Sequence, residues 1–418
     1  DGSVRAWGQQ SYYLLGDGTT FSRSYPTRTA FPPGFPGASK LYYWYDMQAA
    51  CIDSSGQLWI WGNNDYGSCG NGTTAVVRVP FNASADSLNS IYGKTVTQVA
   101  LSCGVQNALS TVVLCSDGTV HSCGYNAYGQ LGNGSTTNSS RFAQLPVLAN
   151  ITQIASGREA YTSYYAITSA GALYSWGYNG DGQLGDGGTT NATIATLRNG
   201  GTLSGKTIRA VYAGPNYAMA VDSLGNLHAW GTNSYGQLGN GTLSNQFTPV
   251  QSVATGVSDV YIGQYDYPIT YIKKTDNSLW ACGYGDYWGN GVTPAATNTG
   301  TFTQIPFGGT GITKAIHGGN GTYNFGAALL TTGVVRVWGY NGNGALGVGD
   351  TTTRTNANSL MLTGNRTVVD ICAYGSSSEQ GIVMLLDDGQ LWAVGYAGGS
   401  QLPEDDSETS YTPMPVVF

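Results

Sequence analysis

The sequence predicts an all-β fold, a β-propeller of four-stranded blades, and three observations lead to this prediction. A glycine-rich phrase, WGYNGDGQLGDG from Trp176, recurs along the chain. Each copy follows a short hairpin pattern of alternating hydrophobic residues. Before that hairpin comes a β-branched run that ends in glycine. Self-similarity at a fixed period is typical of solenoids, propellers and arrays.

The first observation is the phrase itself. Clear and weaker copies begin at Trp7, Trp61, Cys123, Trp176, Trp230, Cys282, Trp338 and Val394. The intervals between these starts run from 52 to 62 residues. Because the phrase is a repeated element, we do not expect each copy to carry a function of its own.

The second and third observations place strands around the phrase. Two runs of period two flank a glycine in AITSAGALYSWG (166–177), and glycine supplies the positive φ of a tight β-hairpin turn. The runs ITQIASG (151–157) and IRAVYAG (208–214) add a β-branched strand. A Pro-containing segment such as TPV (248–250) follows the phrase. Each repeat therefore has up to four strands, which suits the blade of a propeller.

The phrase, with the hairpin and the Ile-x-x-Ile-Ala-x-Gly strand before it, resembles the regulator-of-chromosome-condensation repeat family. This resemblance implies a seven-bladed propeller, and the family includes GTPase exchange factors, a plant ultraviolet sensor and a secreted enzyme inhibitor. Members of the exchange-factor type carry a histidine after the strand-ending glycine, whereas this sequence has GREA (157–160) and GPNY (214–217) there. That departure argues against carrying over the GTPase-regulating activity.

The repeat count predicts two regions. Residues 1–38 form an N-terminal half-repeat or closure segment, and residues 39–418 form seven repeats. The alternative is eight blades, in which sequence upstream of Asp1 completes the half-repeat.

An acidic place in the phrase raises the question of a metal site. The copies have Asp or Asn there: Asp17, Asn71, Asn133, Asp186, Asn240 and Asn290. A calcium loop depends on carboxylate charge and on a distal glutamate, and neither is maintained. Asp and Asn share a short side chain that bonds nearby backbone amides in turns. We therefore predict a structural turn, with no metal and no cofactor.

Composition limits the choice of partner and location. Only 10% of the residues are charged, the net charge is −7, and the chain contains 29 tyrosines and 62 glycines. This balance argues against nucleic acid as a partner. The absence of a stretch of eighteen apolar residues argues against membrane insertion. A charge-poor sequence rich in Tyr, Asn and Gly is typical of extracellular or virion proteins, which is the location we expect.

No catalytic constellation emerges from the sequence. His121 and Cys123 lie two residues apart on a strand, as a thiol dyad requires. However, the place that His121 fills is taken in every repeat by a long amphipathic side chain, such as Arg5, Tyr174 or His228. Packing explains His121 better than chemistry, and we expect no catalytic residues and no enzyme activity.

Variable turns after the glycine-ending strand are the predicted recognition site. Tyr-rich loops with Gly and Asn give rigid contact area at low entropic cost. The predicted binding residues are Trp44, Tyr45, Arg158, Tyr161, Tyr164, Tyr217, Tyr265, Tyr267 and Tyr323. The alternative is that these tyrosines only cap the blade ends.

Two function classes follow from this surface. The first is a non-enzymatic binding or structural propeller, displayed outside a cell or on a virus particle as part of a larger assembly, that recognises a protein or a glycan. The alternative is a soluble regulator or inhibitor that caps one globular protein.

Overall fold

The structure is a computed structural model, and it describes most of the chain. The residues outside the description are 1, 9, 45–46, 103–107, 158–161, 264–267, 286–288, 290–297, 308–310, 320–322, 365, 377–378, 397–408 and 418. For residues 44, 375–376 and 379 only the backbone is described.

Seven antiparallel sheets of four strands form the blades of a propeller ring, which confirms the predicted fold class. Blades 1 and 2 contain β3 (Ala38–Trp44), β4 (Gln48–Asp53), β5 (Leu58–Gly62), β6 (Val77–Asn82), β7 (Val96–Leu101), β8 (Ser110–Cys115), β9 (Val120–Gly124) and β10 (Ser139–Gln144). Blades 3 and 4 contain β11 (Ile151–Ser156), β12 (Ser163–Thr168), β13 (Leu173–Gly177), β14 (Ala192–Arg198), β15 (Ile208–Ala213), β16 (Tyr217–Asp222), β17 (Leu227–Gly231) and β18 (Gln246–Gln251). Blades 5 and 6 contain β19 (Val257–Ile262), β20 (Ile269–Lys274), β21 (Leu279–Gly283), β22 (Thr299–Ile305), β23 (Ile312–Gly318), β24 (Phe325–Leu330), β25 (Val335–Gly339) and β26 (Arg354–Ser359). Blade 7 contains β27 (Val368–Ser376), β28 (Glu379–Leu386), β29 (Leu391–Gly395) and β30 (Ser410–Pro415).

The N-terminal residues add a two-stranded sheet of β1 (Arg5–Gly8) and β2 (Arg23–Arg28). These strands match the third and fourth strands of a blade, because Trp7 stands in β1 where the other repeats have their phrase-opening residue. The chain thus forms seven blades and a half-unit, as the preferred count predicted.

Strands within a blade follow the chain from the axis outwards. From blade 1 to blade 7, the first strands of successive blades contact one another, so they lie nearest the axis of the ring. The second and third strands are joined by the predicted glycine hairpin. In blade 3, Gly171 has a φ of 78° and its amide donates to the carbonyl of Thr168 at 2.9 Å. This positive φ is the reason for glycine at the turn.

The tryptophans that open the phrase form the core between blades. Trp176, Trp230 and Trp338 are fully buried and Trp61 is 3% exposed. The Trp230 Nε1 donates to the carbonyl of Gln183 in the preceding repeat at 2.7 Å. Trp7 is half-buried, because β1 belongs to a half-unit rather than to a complete blade.

Short 3-10 turns lie at Ala83–Ala85 and Gly201–Leu203, each between a fourth strand and the next blade. No helix in this described part of the chain has both the length and the apolar character needed to cross a membrane.

Candidate functional site

Two kinds of loop meet on one face of the propeller. The turn from the first to the second strand and the phrase from the third to the fourth strand lie at the same end of a blade, because the first and third strands run in the same direction. In blade 6 this proximity is direct, since Tyr323 of the turn contacts Tyr340 of the phrase. We call this end of the blades the phrase face.

A buried asparagine holds five of the phrases in shape. In blade 3 the Asn179 Nδ2 donates to Asp186 Oδ1 at 3.0 Å and to the carbonyls of Gly188 and Thr190. Its Oδ1 accepts from the Leu184 amide at 2.9 Å. Two of these bonds, the one to the carbonyl nine residues further on and the one from the amide five residues further on, are also made by four equivalent asparagines: Asn64, Asn126, Asn233 and Asn341. Because an unmade buried hydrogen bond is costly, this amide fixes the loop.

The acidic place of the phrase is occupied by hydrogen bonds within the repeat. Asp186 Oδ1 accepts from the amide of Gly188 at 3.0 Å as well as from Asn179. Where this place is a carboxylate, an arginine of the same repeat lies beside it. The two pairs are Asp17 with Arg23 at 2.9 Å and Asp186 with Arg198 at 3.6 Å. In blade 6 Val348 takes the acidic place, and Asp350, two residues later, pairs with Arg354 at 2.7 Å. These contacts give the Asp and Asn residues the structural role that the sequence predicted.

The arginine also affects the acidity of the carboxyl group. The hydrogen bond from Arg354 is the main cause of the lowered pKa of Asp350. A carboxylate of this kind stays ionised, and the paired arginine balances its charge, which weakens its attraction for a cation. The described residues contain no group of three or more His, Cys, Asp or Glu side chains that could hold a metal ion.

Tyrosine pairs are the most distinctive feature of the phrase face. In blades 2 and 3, Tyr128 of one phrase meets Tyr178, which follows the Trp-Gly of the next phrase, with ring centroids 5.4 Å apart. Equivalent edge-to-face pairs are Tyr66 with Tyr125 at 4.9 Å and Tyr235 with Tyr284 at 5.5 Å. All six rings are half-buried, so each supports its neighbour and keeps one side accessible.

Sequence reasoning missed these tyrosines. A signal was present, because Tyr recurs immediately after the opening Trp-Gly or Cys-Gly and again before Gly-Gln-Leu-Gly. The pairing itself joins residues of successive repeats, and the sequence did not indicate which ring meets which.

The predicted site residues fall into three groups. Tyr323 lies on the phrase face, is 38% exposed and contacts Tyr340 at 4.8 Å. Tyr164 and Tyr217 are 0% and 1% exposed and belong to the core, since they pack in the second strands of blades 3 and 4. The remaining predictions lie outside the described residues: Tyr45, Arg158, Tyr161, Tyr265, Tyr267 and the side chain of Trp44.

Burial of Tyr164 and Tyr217 has a clear physical cause. The Tyr164 hydroxyl donates to the carbonyl of Ser110 at 2.9 Å, and the Tyr217 hydroxyl lies 3.2 Å from Thr270 Oγ1 in the next blade. A tyrosine buried with its hydroxyl satisfied joins neighbouring blades. These two rings therefore contribute to the ring of blades and not to a recognition surface.

The phrase face is weakly acidic. Its described loops contain no lysine or arginine. Beyond the arginine-paired carboxylates they contain Asp65 and Asp181, and burial raises the pKa of Asp181. A polyanion needs cations to neutralise its phosphates, so this part of the face does not match nucleic acid.

The His121–Cys123 pair has the geometry of packing. His121 is fully buried, with Nδ1 2.7 Å from Ser90 Oγ and Nε2 2.8 Å from Thr119 Oγ1. The Cys123 thiol donates to the carbonyl of Ser68 at 3.3 Å, and burial raises its pKa well above the ordinary value. A thiol that stays protonated is a poor nucleophile.

Comparison with known proteins agrees with this architecture. The family model described as "Regulator of chromosome condensation (RCC1) repeat" matches residues 55–108, 117–160, 170–221 and 225–265, and a second RCC1 repeat model matches 208–237. The structure of Prp20p from Saccharomyces cerevisiae superposes with a TM-score of 0.66 at 18% identity, covering 91% of this chain and 90% of that one. At this identity the likeness shows the fold.

Curated relatives come from plants and animals. The ultraviolet-B receptor UVR8 of Arabidopsis thaliana is 26% identical over 84% of this chain and 76% of its own length. The mitochondrial RCC1 domain-containing protein RUG3 of the same plant is 25% identical over 99% of this chain and 82% of its own length. The human E3 ubiquitin-protein ligase HERC2 is 30% identical over 58% of this chain, but the match spans only 5% of the ligase.

These relatives overturn the main expectation for function and location. A virion or extracellular display protein was expected from the low charge and the Tyr- and Gly-rich composition. The relatives are a plant receptor, a mitochondrial protein and a ubiquitin ligase, so that expectation was wrong. Low charge is explained instead by a repeat whose loops are built from Gly, Asn, Thr and Tyr that bond one another.

Proposed function

Because this chain is a seven-bladed propeller of RCC1 repeats, we propose that it is a regulator that binds a globular protein partner through the phrase face. The observation that carries the proposal is the set of edge-to-face tyrosine pairs, which successive repeats build on one face. Fixed phrases position these rings, so they need little further ordering when a partner binds.

The chemistry of the phrase face fits a protein surface. Aromatic residues are enriched at protein interfaces, and charged residues are depleted at interface centres. A pre-ordered ring loses less conformational entropy on binding than a free one, which raises affinity. The pair Tyr128 and Tyr178 therefore supplies contact area together with phenol hydroxyls.

We further propose that binding, and not catalysis, is the activity of this chain. The His121 imidazole and the Cys123 thiol are each engaged with neighbouring side chains or backbone. The ligase relative matches along 5% of its length, so its activity is not carried over to this chain. UVR8, which is similar along most of this chain, is a receptor by name.

The test compares two double variants. Tyr128→Ser with Tyr178→Ser removes one pair on the phrase face, while Tyr25→Ser with Tyr92→Ser removes two tyrosines that are each 58% exposed and lie elsewhere. Each tagged protein is incubated with an extract of the cells that make it, and bound proteins are quantified by mass spectrometry.

We expect a partner that the wild type and the control variant retain equally. The phrase-face variant should bind this partner at least tenfold more weakly, which corresponds to a loss of about 1.4 kcal/mol of binding free energy. Equal loss in both double variants, or equal retention in both, contradicts the proposal. Thermal melts of the three proteins show whether each is folded.

A further inference from the structure

The tyrosine pairs of blades 1 to 3 join into one continuous row. Tyr66 of blade 1 contacts Tyr125 of blade 2, with ring centroids 4.9 Å apart. Tyr125 lies 6.2 Å from Tyr128 in the same phrase, and Tyr128 lies 5.4 Å from Tyr178 of blade 3. All four rings are half-buried, and each contact is edge to face. We call these four residues the tyrosine row.

The tyrosine row leads to a carboxylate. The Tyr178 hydroxyl occupies the place that a Cβ on Gly180 would take, and Asp181 is the next residue. Asp181 stands in its repeat where Tyr128 stands in the repeat before, and Thr232 stands where Tyr178 does. The junction between blades 3 and 4 therefore has a carboxylate and a hydroxyl at the positions where the two preceding junctions have paired rings.

No cation among the described residues balances this carboxylate. None of these residues forms an ion pair with Asp181 or donates a hydrogen bond to its carboxylate oxygens. The side chain is half-buried, and burial raises its pKa. In the same phrase Asp186 lies 3.6 Å from Arg198. Because a charge removed from water is costly unless it is paired, a cation brought by a partner would be stabilised at Asp181.

The backbone of the blade 3 phrase is already engaged. Six of its amides donate hydrogen bonds within the protein: Asp181, Gly182, Leu184, Gly185, Gly187 and Gly188. A partner segment cannot add a strand along these amides, so side chains must recognise it. A polyproline II segment suits this surface, because it makes no internal backbone hydrogen bonds and its carbonyls are free to accept from tyrosine hydroxyls.

We propose that the tyrosine row and Asp181 bind a proline-rich segment of the partner in the polyproline II conformation, with an arginine or lysine on the Asp181 carboxylate. The inference rests on the proposed function and names the class of partner. Aromatic-lined grooves are an established receptor for such segments. Alternate residues of polyproline II lie about 6 Å apart, and neighbouring rings of the row are 4.9 to 6.2 Å apart.

Arginine fits this end of the row through two contacts. Its guanidinium pairs with a carboxylate and stacks on an aromatic face. Asp181 supplies the carboxylate and Tyr178 the neighbouring ring. The described loops of the phrase face contain no lysine or arginine, so the partner supplies the cation.

The test uses three fluorescent peptides, whose anisotropy is measured as the whole protein is added. The first has six prolines followed by arginine, the second has glutamate in place of the arginine, and the third has alternating glycine and alanine in place of the prolines. We expect saturable binding of the first peptide, and at least tenfold weaker binding of the other two.

Variants locate the peptide on the protein. Asp181→Asn should bind the arginine peptide at least tenfold more weakly, because the charge is removed while the shape is kept. Asp276→Asn is the matched control, since Asp276 is exposed on a hairpin turn of the opposite face, and it should bind as the wild type does. Tyr128→Ser with Tyr178→Ser should weaken binding of both proline peptides. Thermal melts show that each variant is folded.

Three results would overturn the inference. The first is no saturable binding of the arginine peptide up to about 1 mM, the limit of a weak complex. The second is equal affinity of the wild type for any two of the peptides that differ in charge or in proline. The third is equal affinity of Asp181→Asn and Asp276→Asn for the arginine peptide.

Failure of this inference and failure of the proposed function give different results. If Tyr128→Ser with Tyr178→Ser loses its protein partner from the extract but no proline peptide binds, the partner class is wrong and the proposed function stands. If the arginine peptide binds in the way described while that double variant retains its extract partner, the inference is supported and the proposed function is contradicted.

Discussion

At the scale of single residues, the Trp or Cys that opens a phrase donates a hydrogen bond to the repeat before it. Trp176 Nε1 donates to the carbonyl of Gln130 at 2.9 Å, as Trp230 does to Gln183. Where the repeat has cysteine, the Cys282 thiol donates to the carbonyl of Gln237 at 3.5 Å. The Thr270 hydroxyl also donates to the Gln237 carbonyl, at 2.8 Å, so this carbonyl accepts from both Cys282 and Thr270. Trp and Cys are thus alternative solutions to one packing position.

Replacing Trp230 with Ala should lower the free energy of unfolding by about 3 to 5 kcal/mol, the range for truncating a buried aromatic residue. The loss includes the cavity and the hydrogen bond to Gln183. Trp7→Ala is the control, because its half-buried ring should cost less. Denaturant titration measures both, and equal losses would show that the tryptophan of a complete blade has no special role.

His121 makes the stability depend on pH. Burial lowers its pKa to about 4, whereas the unfolded chain has the ordinary value near 6.5. The folded state therefore binds fewer protons than the unfolded state in this window. Stability is fully present above pH 6.5 and is lost as the pH falls towards 4.

The corresponding experiment compares the wild type with His121→Gln between pH 7 and pH 4. Glutamine keeps polar atoms near Ser90 and Thr119 but does not titrate. The wild type should lose up to about 3 kcal/mol more than the variant over this range, since one pKa unit equals about 1.36 kcal/mol. Both proteins retain the same carboxylates, so the difference reports His121. Parallel pH profiles would contradict the assignment.

At the scale of elements, the phrase is a loop that folds on its own hydrogen bonds. Asn233 and Asn240 have the same side chain but opposite roles. The Asn233 Nδ2 donates to Thr242 O at 2.9 Å and to Asn240 Oδ1 at 3.1 Å. Asn240 Oδ1 accepts, taking further bonds from the amide and hydroxyl of Thr242. A carboxylate can replace the acceptor but not the donor.

Asn233→Asp should therefore lower the free energy of unfolding by at least about 3 kcal/mol, because a buried charge would face two acceptors. Asn240→Asp should change it by less than about 1 kcal/mol, since its accepted bonds persist. Thermal and denaturant unfolding give both values. If the two substitutions have equal effects, the phrase is not held by the directional bonds described above.

One feature of the phrase, its structural turn, was predictable from the sequence, and another, the pairing of its tyrosines, was not. The interchange of Asp17, Asn71 and Asp186 at one place was enough to predict a structural turn, because chemistry that tolerates both residues is hydrogen-bond acceptance. The pairing of Tyr128 with Tyr178 was not predictable, since it depends on how adjacent blades are rotated about the axis.

At the scale of the whole molecule, the repeat period determined the fold prediction. Period and strand pattern predicted the seven blades and an N-terminal half-unit. They did not report that Tyr164 and Tyr217 point into the core, because alternation within a strand leaves open which face a neighbouring blade covers. The predicted location was wrong because the low charge and the Tyr- and Gly-rich composition come from the loops of the repeat and do not indicate a compartment.

The central claim is that the phrase face holds a protein partner, and hydrogen exchange of the partner-bound protein tests it most directly. The account predicts slower exchange in the phrases around the tyrosine pairs, including Tyr125–Leu131 and Tyr178–Leu184, on partner binding. The hairpin turns at the opposite face, such as Ser116–Gly118, should exchange at an unchanged rate. Protection of those turns or of the outer strands, with the phrases unchanged, would contradict the account.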